Sequence, residues 1–151
     1  MSATLVNAVL SYRVAVTNNG AEPLSEVAIT GDMVAAHASR PSDELLGPEA
    51  AHLPLLHRIA GLAAGESAEL TGDIRLPLGA ITPIRSGTAA LFVPIARVRA
   101  AGLGPDGAKV TGGGTFLVGQ PAASAKLQPF RLDLGPRLYS HVGQQRLAAP
   151  V

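Results

Sequence analysis

The chain contains no cysteine and no tryptophan, and its only aromatic residues are three phenylalanines and two tyrosines. The lack of cysteine excludes a disulfide framework, a thiolate nucleophile and a zinc site built on cysteine ligands. The shortage of aromatic rings leaves little material for the stacking surfaces that bind sugars or single-stranded nucleic acids. Four of the five rings, Tyr12, Phe92, Phe116 and Phe130, fall on apolar faces of predicted strands, so only Tyr139 is expected to lie outside.

An excess of one charge is also missing, because 12 Lys and Arg residues stand against 11 Asp and Glu residues, for a net charge of +1. Such a balance gives no reason to expect nucleic acid or an acidic lipid surface as a partner. The longest charge-free apolar stretch, Ser86–Ala96, is far shorter than the roughly 20 residues of a membrane helix. Met1–Thr4 lacks the basic start of a signal peptide. We expect a domain cut from a longer protein, or one anchored by a segment outside this sequence.

The chain has the length and the apolar content of a globular protein, with 151 residues of which 47% are hydrophobic. Its 17 glycines and 12 prolines separate short apolar runs. That punctuation is typical of many short strands joined by turns, and a chain of this length is expected to form a single domain.

Alternation of apolar and polar residues predicts the strands. An opening hairpin is predicted from Leu5–Thr17, the turn Asn18–Gly20 and the strand that ends near Met33. Later strands are predicted at Ala68–Leu76, Thr88–Ala100, Lys109–Val118 and Leu127–Leu134, and Pro94 should place the strand Thr88–Ala100 at a sheet edge or at a bulge. The segment 34–57 is predicted to be irregular. We predict an all-β, immunoglobulin-like antiparallel sandwich of about seven strands over residues 1–137, followed by a tail at 138–151.

Two motifs carry a resemblance to a known family. The run Tyr12–Gly20, with alternating valines before Thr-Asn-Asn-Gly, and the turn Leu62–Leu70, which contains Gly65-Glu66-Ser67, resemble the immunoglobulin-like repeats of bacterial and archaeal surface proteins of the CARDB, NEW3 and DUF11 types. This resemblance covers the first half of the chain. It implies the sandwich fold and no functional residues, because such repeats serve as spacers, adhesive modules and assembly parts.

The second half resembles a narrower group. The segments Ala90–Pro94, Phe116–Gly119 and Leu127–Tyr139 are similar to the C-terminal domains of uncharacterised alphaproteobacterial single-pass membrane proteins. This resemblance implies a domain tethered to a bacterial membrane by a segment absent from this chain. The expected function is a non-enzymatic structural or protein-interaction domain that uses a sheet edge or face to bind a protein partner or a second copy.

The alternative is a small-ligand or metal-binding module built on the 34–57 segment. His37, His52 and His57 all belong to that segment, and Asp43 and Glu49 are near them in sequence. Neither an HxH nor an HExxH motif is present, so exposed loop histidines are the simpler interpretation. The fourth histidine, His141, is far away in sequence.

The sequence contains no convincing catalytic motif. Gly102-x-Gly104-x-x-Gly107 matches the dinucleotide fingerprint in letters, but Pro105 and Asp106 favour a hairpin turn over a helix. Ser67 and Ser86 are expected to be turn residues, because no GxSxG is present.

Two charged sets also have simple interpretations. Asp32 and Asp73 occupy equivalent places in the echoing segments Ala28–Met33 and Glu69–Ile74, and could approach only if those strands are neighbours. Water, or Arg75, is the simpler partner for them. Arg97, Arg99, Arg131 and Arg137 are expected to belong to a solvated face rather than to a basic binding patch. We therefore assign no catalytic, cofactor-binding or metal-binding residue and no cofactor.

Overall fold

The protein is described by a computed structural model that covers residues 1–39, 45, 53–124 and 126–147. Alternating and β-branched sequences form strands throughout this part of the chain. In order, the strands are β1 Ser2–Ala3, β2 Asn7–Thr17, β3 Leu24–Ala35, β4 Leu55–Leu62, β5 Ser67–Pro77, β6 Ile84–Ser86, β7 Ala89–Phe92, β8 Pro94–Leu103, β9 Lys109–Gly119, β10 Phe130–Arg131, β11 Arg137–Leu138 and β12 Gly143–Leu147. Single 3₁₀ turns occupy Leu78–Ala80 and Leu132–Leu134.

The strands form three antiparallel sheets. Sheet I has the order β11-β1-β2-β5, sheet II has the order β12-β9-β8-β3-β4, and a small sheet has the order β10-β7-β6. The prediction of an all-β antiparallel sandwich is confirmed. In the described part of the chain, no helix is both long and apolar enough to cross a membrane.

The interior holds two separate apolar clusters. The large cluster draws residues from sheets I and II and from the small sheet, and Phe92 and Phe130 are its largest fully buried side chains. The small cluster is centred on Val27, Ile29 and Leu62, which are at most 3% exposed. Partly buried residues of β2, β5 and β8 pack around it, so it also lies between sheets I and II.

A polar pair bridges the two sheets. The hydroxyl of Tyr12 on β2 lies 2.5 Å from Nε2 of His57 on β4, and the two rings meet edge to face. Burial, and then the nearby Asp73 carboxylate, raise the pKa of Tyr12, so its hydroxyl keeps its proton at neutral pH. Since both side chains are only partly buried, the pair satisfies polar groups near the sandwich rim.

The predicted opening hairpin is wrong, although both of its strands exist. β2 pairs with β5 along its whole length, and β3 pairs with β4 and β8. The connection therefore crosses from sheet I to sheet II. Asn18 holds it in place, because its buried side-chain amide donates to the Glu22 carbonyl at 2.8 Å and to the Leu62 carbonyl at 3.1 Å.

Several predicted boundaries also change. Part of the predicted irregular segment forms β4, an edge strand whose pairing with β3 is interrupted by a bulge. The predicted tail contains β12, which pairs with β9 from Gly143 to Leu147 and so extends sheet II. Twelve strands among the described residues replace the seven expected, because several of them are only two to five residues long.

Pro94 divides the predicted strand Thr88–Ala100 into β7 and β8, as expected of a residue that cannot donate to a ladder. It does not lie on an edge strand: β8 is the central strand of sheet II, and Pro94 is its first residue. The predicted strand Leu127–Leu134 is shortened to β10, and a 3₁₀ turn follows it.

The sequence Thr-Gly-Asp occurs in both echoing segments, Ala28–Met33 and Glu69–Ile74, and in each its glycine packs closely against a neighbour. An added Cβ at Gly31 would lie 2.7 Å from the Arg97 carbonyl oxygen and 2.8 Å from a methyl group of Leu56. At Gly72 it would lie 2.6 Å from the Tyr12 hydroxyl. The two glycines lie within long strands of different sheets. The echo therefore reflects two separate positions at which neighbouring atoms leave no room for a Cβ.

We expect Gly31→Ala to destabilise the fold by about 1–3 kcal/mol, the usual range for overpacking. The nearest obstacle is backbone, which cannot rotate aside. Gly79→Ala is the matched control, because an added Cβ there meets nothing within 4 Å. Denaturant titration measures both variants, and equal midpoints would contradict the packing assigned to Gly31.

Asp133 ties the small sheet together. Its Oδ1 accepts the Ala90 backbone N–H at 3.0 Å, and its carboxylate pairs with Arg131, whose Nε lies 3.2 Å away. Arg131 first, and then the Ala90 N–H, lower the pKa of Asp133 to about 2 from the ordinary value of 3.8. The folded protein therefore holds the ionised form more strongly than the unfolded chain does.

The stability that Asp133 contributes should be complete above about pH 4 and lost as the pH falls towards 2, since its folded-state pKa is depressed. Asp133→Asn should be less stable than the wild type at pH 6, and the difference should shrink between pH 4 and pH 2. Thermal unfolding at each pH measures this. Melting curves of the two proteins that stay parallel across that range would contradict the prediction.

Candidate functional site

β2 has a free edge. Its partner β1 pairs with it only through Ser2 opposite Val9 and Ala3 opposite Ala8. On the other side, β5 pairs with every residue from Asn7 to Thr17. Among the described residues, no strand pairs with the β1-facing side of β2 beyond Leu10.

Two hydrogen bonds show how the backbone groups of β2 point. The Thr4 N–H donates to the Asn7 carbonyl at 2.8 Å on the β1 side, and the Asn18 N–H donates to the Glu66 carbonyl at 2.9 Å on the β5 side. Backbone groups alternate between the two sides along an antiparallel strand. Ser11, Arg13 and Ala15 therefore direct their N–H and C=O groups to the free edge.

An apolar groove of about 300 Å³ lies beside this edge, between sheets I and II. One wall is β2, with Val14 and Val16. Its floor is the inner face of β8 and β9, and among the residues that form it are Val98, Ala100, Gly112, Gly114 and Phe116. Arg146 of β12 has the one ionisable side chain among the described residues that line the groove.

The run Gly112–Gly114 keeps the floor low. An added Cβ at Gly112 would meet nothing within 4 Å, whereas at Gly114 it would lie 2.9 Å from the Phe116 ring. Gly113 has φ +144, and a Cβ there would lie 2.3 Å from the Val98 carbonyl oxygen. Gly113 is thus required by the pairing with β8, while Gly112 leaves open space.

Two arginines on opposite faces of sheet II bind the backbone of the glycine run in the groove floor. On the inner face, the Arg146 guanidinium lies 5.7 Å from the centre of the Phe116 ring and donates to the Gly113 carbonyl at 2.6 Å. On the outer face, Arg99 donates to the Gly114 carbonyl at 2.8 Å. Burial, and then the neighbouring Arg97, lower the pKa of Arg99, although Asp32 opposes this effect.

The groove widens at its other end into a depression of about 750 Å³. The two spaces adjoin, because the same five residues line both of them, namely Thr17, Leu24, Val110, Thr111 and Gly112. The depression lies between the loop after β2 and the turn Gly104–Ala108, and the carboxylates that line it are Glu22 and Asp106. The groove is therefore basic near Phe116 and acidic at this loop end.

The predicted fingerprint motif forms this turn. The Gly107 N–H donates to the Gly104 carbonyl, the Gly104 N–H donates to the Ala108 carbonyl, and Gly107 has φ +79. This is a tight turn between β8 and β9 and not the start of a helix, so the interpretation as a hairpin turn is confirmed.

The histidines of the 34–57 segment are not brought together within the described residues. His37 Nδ1 lies 2.8 Å from the Ser39 hydroxyl, and His57 bonds Tyr12. His52, Asp43 and Glu49 lie outside the described residues. His141 contacts its neighbour Ser140. No group of three potential metal ligands occurs in the described part of the chain.

The structure separates the two echoing aspartates. Asp32 accepts from Arg97 Nε at 2.7 Å on the outer face of sheet II, and Asp73 accepts from the Ser11 hydroxyl at 2.7 Å in sheet I. The prediction that water or Arg75 is their partner is wrong for Asp32, which pairs with Arg97, whereas the exposed Asp73 faces water and also binds Ser11. Ser67 begins β5 and Ser86 ends β6, consistent with their expected roles at turns.

The four arginines considered together do not form one patch. Arg97 is 8% exposed beside Asp32, so the expectation of a solvated face is wrong for it. Arg131 pairs with Asp133, and Arg137 lies over the ring of Tyr139. Tyr139 was expected outside but is 9% exposed, because its ring packs against Phe130 and its hydroxyl donates to the Arg131 carbonyl.

The sequence predicted an open sheet edge but did not indicate that it belongs to β2. The signal that could have found it is Thr111-Gly-Gly-Gly-Thr115 inside a predicted strand. Glycines in a strand interior mark a bulge, a bend or the close approach of another backbone. A comparison with protein-family models, with curated proteins and with solved structures found no match to this chain.

Proposed function

We propose that this chain is a non-enzymatic protein-interaction domain that adds an extended segment of another protein to the free edge of β2. The observation that carries the proposal is the coincidence, at one edge, of an apolar groove with backbone groups of Ser11, Arg13 and Ala15 that no described strand pairs with. Strand addition uses both: backbone hydrogen bonds supply affinity, and pockets for alternate side chains supply specificity.

The energetics favour a bound strand. Each backbone hydrogen bond contributes about 1 kcal/mol net, and three residues of the edge offer up to six. Inward side chains of the added strand would cover Val14, Val16 and the floor of the groove, at about 25 cal/mol per Å² of apolar surface buried. These terms must exceed the cost of ordering the segment, which favours a binder of moderate affinity.

The groove's chemistry supports binding rather than catalysis. Arg146 is the single ionisable group on its described lining, and it is already engaged by Phe116 and the Gly113 carbonyl. General acid–base catalysis needs a positioned group that gives or takes a proton near neutral pH, and an arginine does not do so.

The strand order supports an immunoglobulin-like assignment as part of this proposal. β1-β2-β5 in one sheet and β4-β3-β8-β9 in the other correspond in order to strands A, B and E and strands C′, C, F and G of such sandwiches. In this correspondence β1 is a strand A of only two residues. The resemblance to domains of single-pass bacterial membrane proteins supports a tethered location.

The test is a selection with a library of random nonapeptides displayed between glycine–serine linkers. Ala15→Pro removes an N–H that faces the free edge and leaves the pairing with β5 intact, so it serves as the counter-selection target. We expect peptides enriched on the wild type to lose binding to Ala15→Pro by at least tenfold. Ala15→Ser, which retains the N–H, is the matched control and should bind normally.

NMR amide shifts of the labelled domain locate the bound peptide. Binding should shift the amides of Ser11, Arg13 and Ala15 and those of Gly112–Gly114. The proposed function is refuted if no peptide binds the wild type more tightly than it binds Ala15→Pro. It is also refuted if the amide shifts are confined to another surface. Circular dichroism of Ala15→Pro verifies that it is folded.

A further inference from the structure

Resting on that proposed function, we infer that the groove selects a strand of defined chemistry and direction. The strand runs antiparallel to β2. It carries a basic side chain near its N-terminus, small apolar side chains at alternate central positions and an acidic side chain near its C-terminus. The occupant is thus an extended segment of a partner protein with this charge order.

The direction follows from the neighbouring strands. β1 and β5 both pair with β2 in the antiparallel sense. Among the described residues the vacant position is in line with β1, because Ser2 lies opposite Val9 and no described strand pairs with this side of β2 beyond Leu10. An antiparallel strand there continues an existing ladder, and antiparallel pairs are slightly more stable per residue than parallel ones.

The size of the inward side chains follows from the floor. Residues directly opposite in an antiparallel pair share a face, so the inward residues of the occupant lie opposite Tyr12, Val14 and Val16. The groove holds about 300 Å³ above Gly112 and Gly114, which suits alanine or valine better than aromatic side chains. From Phe116 to Val110 the floor spans six residue steps, or about 20 Å, the length of a six- or seven-residue strand.

The charge order follows from the two ends of the groove. Thr17 borders the depression lined by Glu22 and Asp106, and an antiparallel occupant starts there. Its C-terminal half reaches the basic end at Arg146. A lysine at the first position and a glutamate at the last would each meet the opposite charge, whereas the reversed order would place like charges together.

The experiment uses two fluorescein-labelled peptides of identical composition. The first reads lysine–serine–valine–threonine–alanine–threonine–glutamate, and the second exchanges its two charged ends. Fluorescence anisotropy at low salt should show the first binding about tenfold more tightly, since two exposed ion pairs replace two repulsions. The preference should largely disappear at 1 M salt, where the Debye length is about 3 Å.

Arg146→Gln should reduce the preference to about threefold, because one of the two charged ends is neutralised. Arg137→Gln is the matched control: that guanidinium also lies over an aromatic ring, 5.9 Å from the centre of Tyr139, but away from the groove. It should leave the preference unchanged. A nitroxide at the peptide's N-terminus should broaden the amides of Asn19 and Gly107 rather than that of Ser11.

The outcomes separate this inference from the proposed function. Equal binding of the two peptides, or broadening at Ser11, would overturn the charge order or the direction while edge binding itself stands. Failure of both peptides together with failure of the library selection would overturn both proposals. Dimers of the free domain that form with rising concentration and compete with the first peptide would identify a second copy as occupant and overturn the assignment to a partner protein.

Discussion

The one-sided pairing of β2 is the constraint on which the rest of the structure depends. Within the described part of the chain, β5 pairs with one edge of β2 from end to end, and β1 pairs with only two residues of the other edge. Sheet I is therefore narrower than sheet II over the Tyr12–Thr17 half of β2. The inner faces of β8 and β9 extend past β2 at this level, and the groove is the space that a longer neighbouring strand would fill.

The glycine run of β9 makes that space usable. Side chains at Gly112 and Gly114 would close the groove or press on Phe116, and a side chain at Gly113 would collide with β8. Glycine weakens a strand by about 0.5–1 kcal/mol per residue. Arg99 and Arg146 offset this weakness from opposite faces by binding the carbonyls of Gly114 and Gly113, respectively.

Much of the fold could be predicted from the sequence, because period-two alternation is strong in β2, β3 and β5. The pairing of the strands could not be predicted, since the same alternation suits any partner strand. Asn18–Gly20 has the sequence of a hairpin turn, but it connects strands of two different sheets. β4 and β12 escaped detection because Ala60 and Gly61 in one strand and Gln144 and Gln145 in the other weaken the apolar pattern. The groove joins β2 to β9, about a hundred residues later in the chain. The glycine run of β9 indicates that another backbone approaches there, but it does not indicate which strand.

The free edge of β2 should bind only certain segments, because only its inner face offers apolar contacts. Ser11 and Arg13 turn polar side chains outward, and Arg13 pairs with Glu69 at 3.0 Å, so the outer face of β2 offers little to a hydrophobic chain. Val14 and Val16 face the groove instead, which limits strand addition to segments whose inward side chains fit above the glycines. At the level of Tyr12 the bond to His57 joins β2 of sheet I to β4 of sheet II. A strand bound at this edge must therefore place its last inward residue beside a fixed polar pair, which favours a short segment over continued sheet growth.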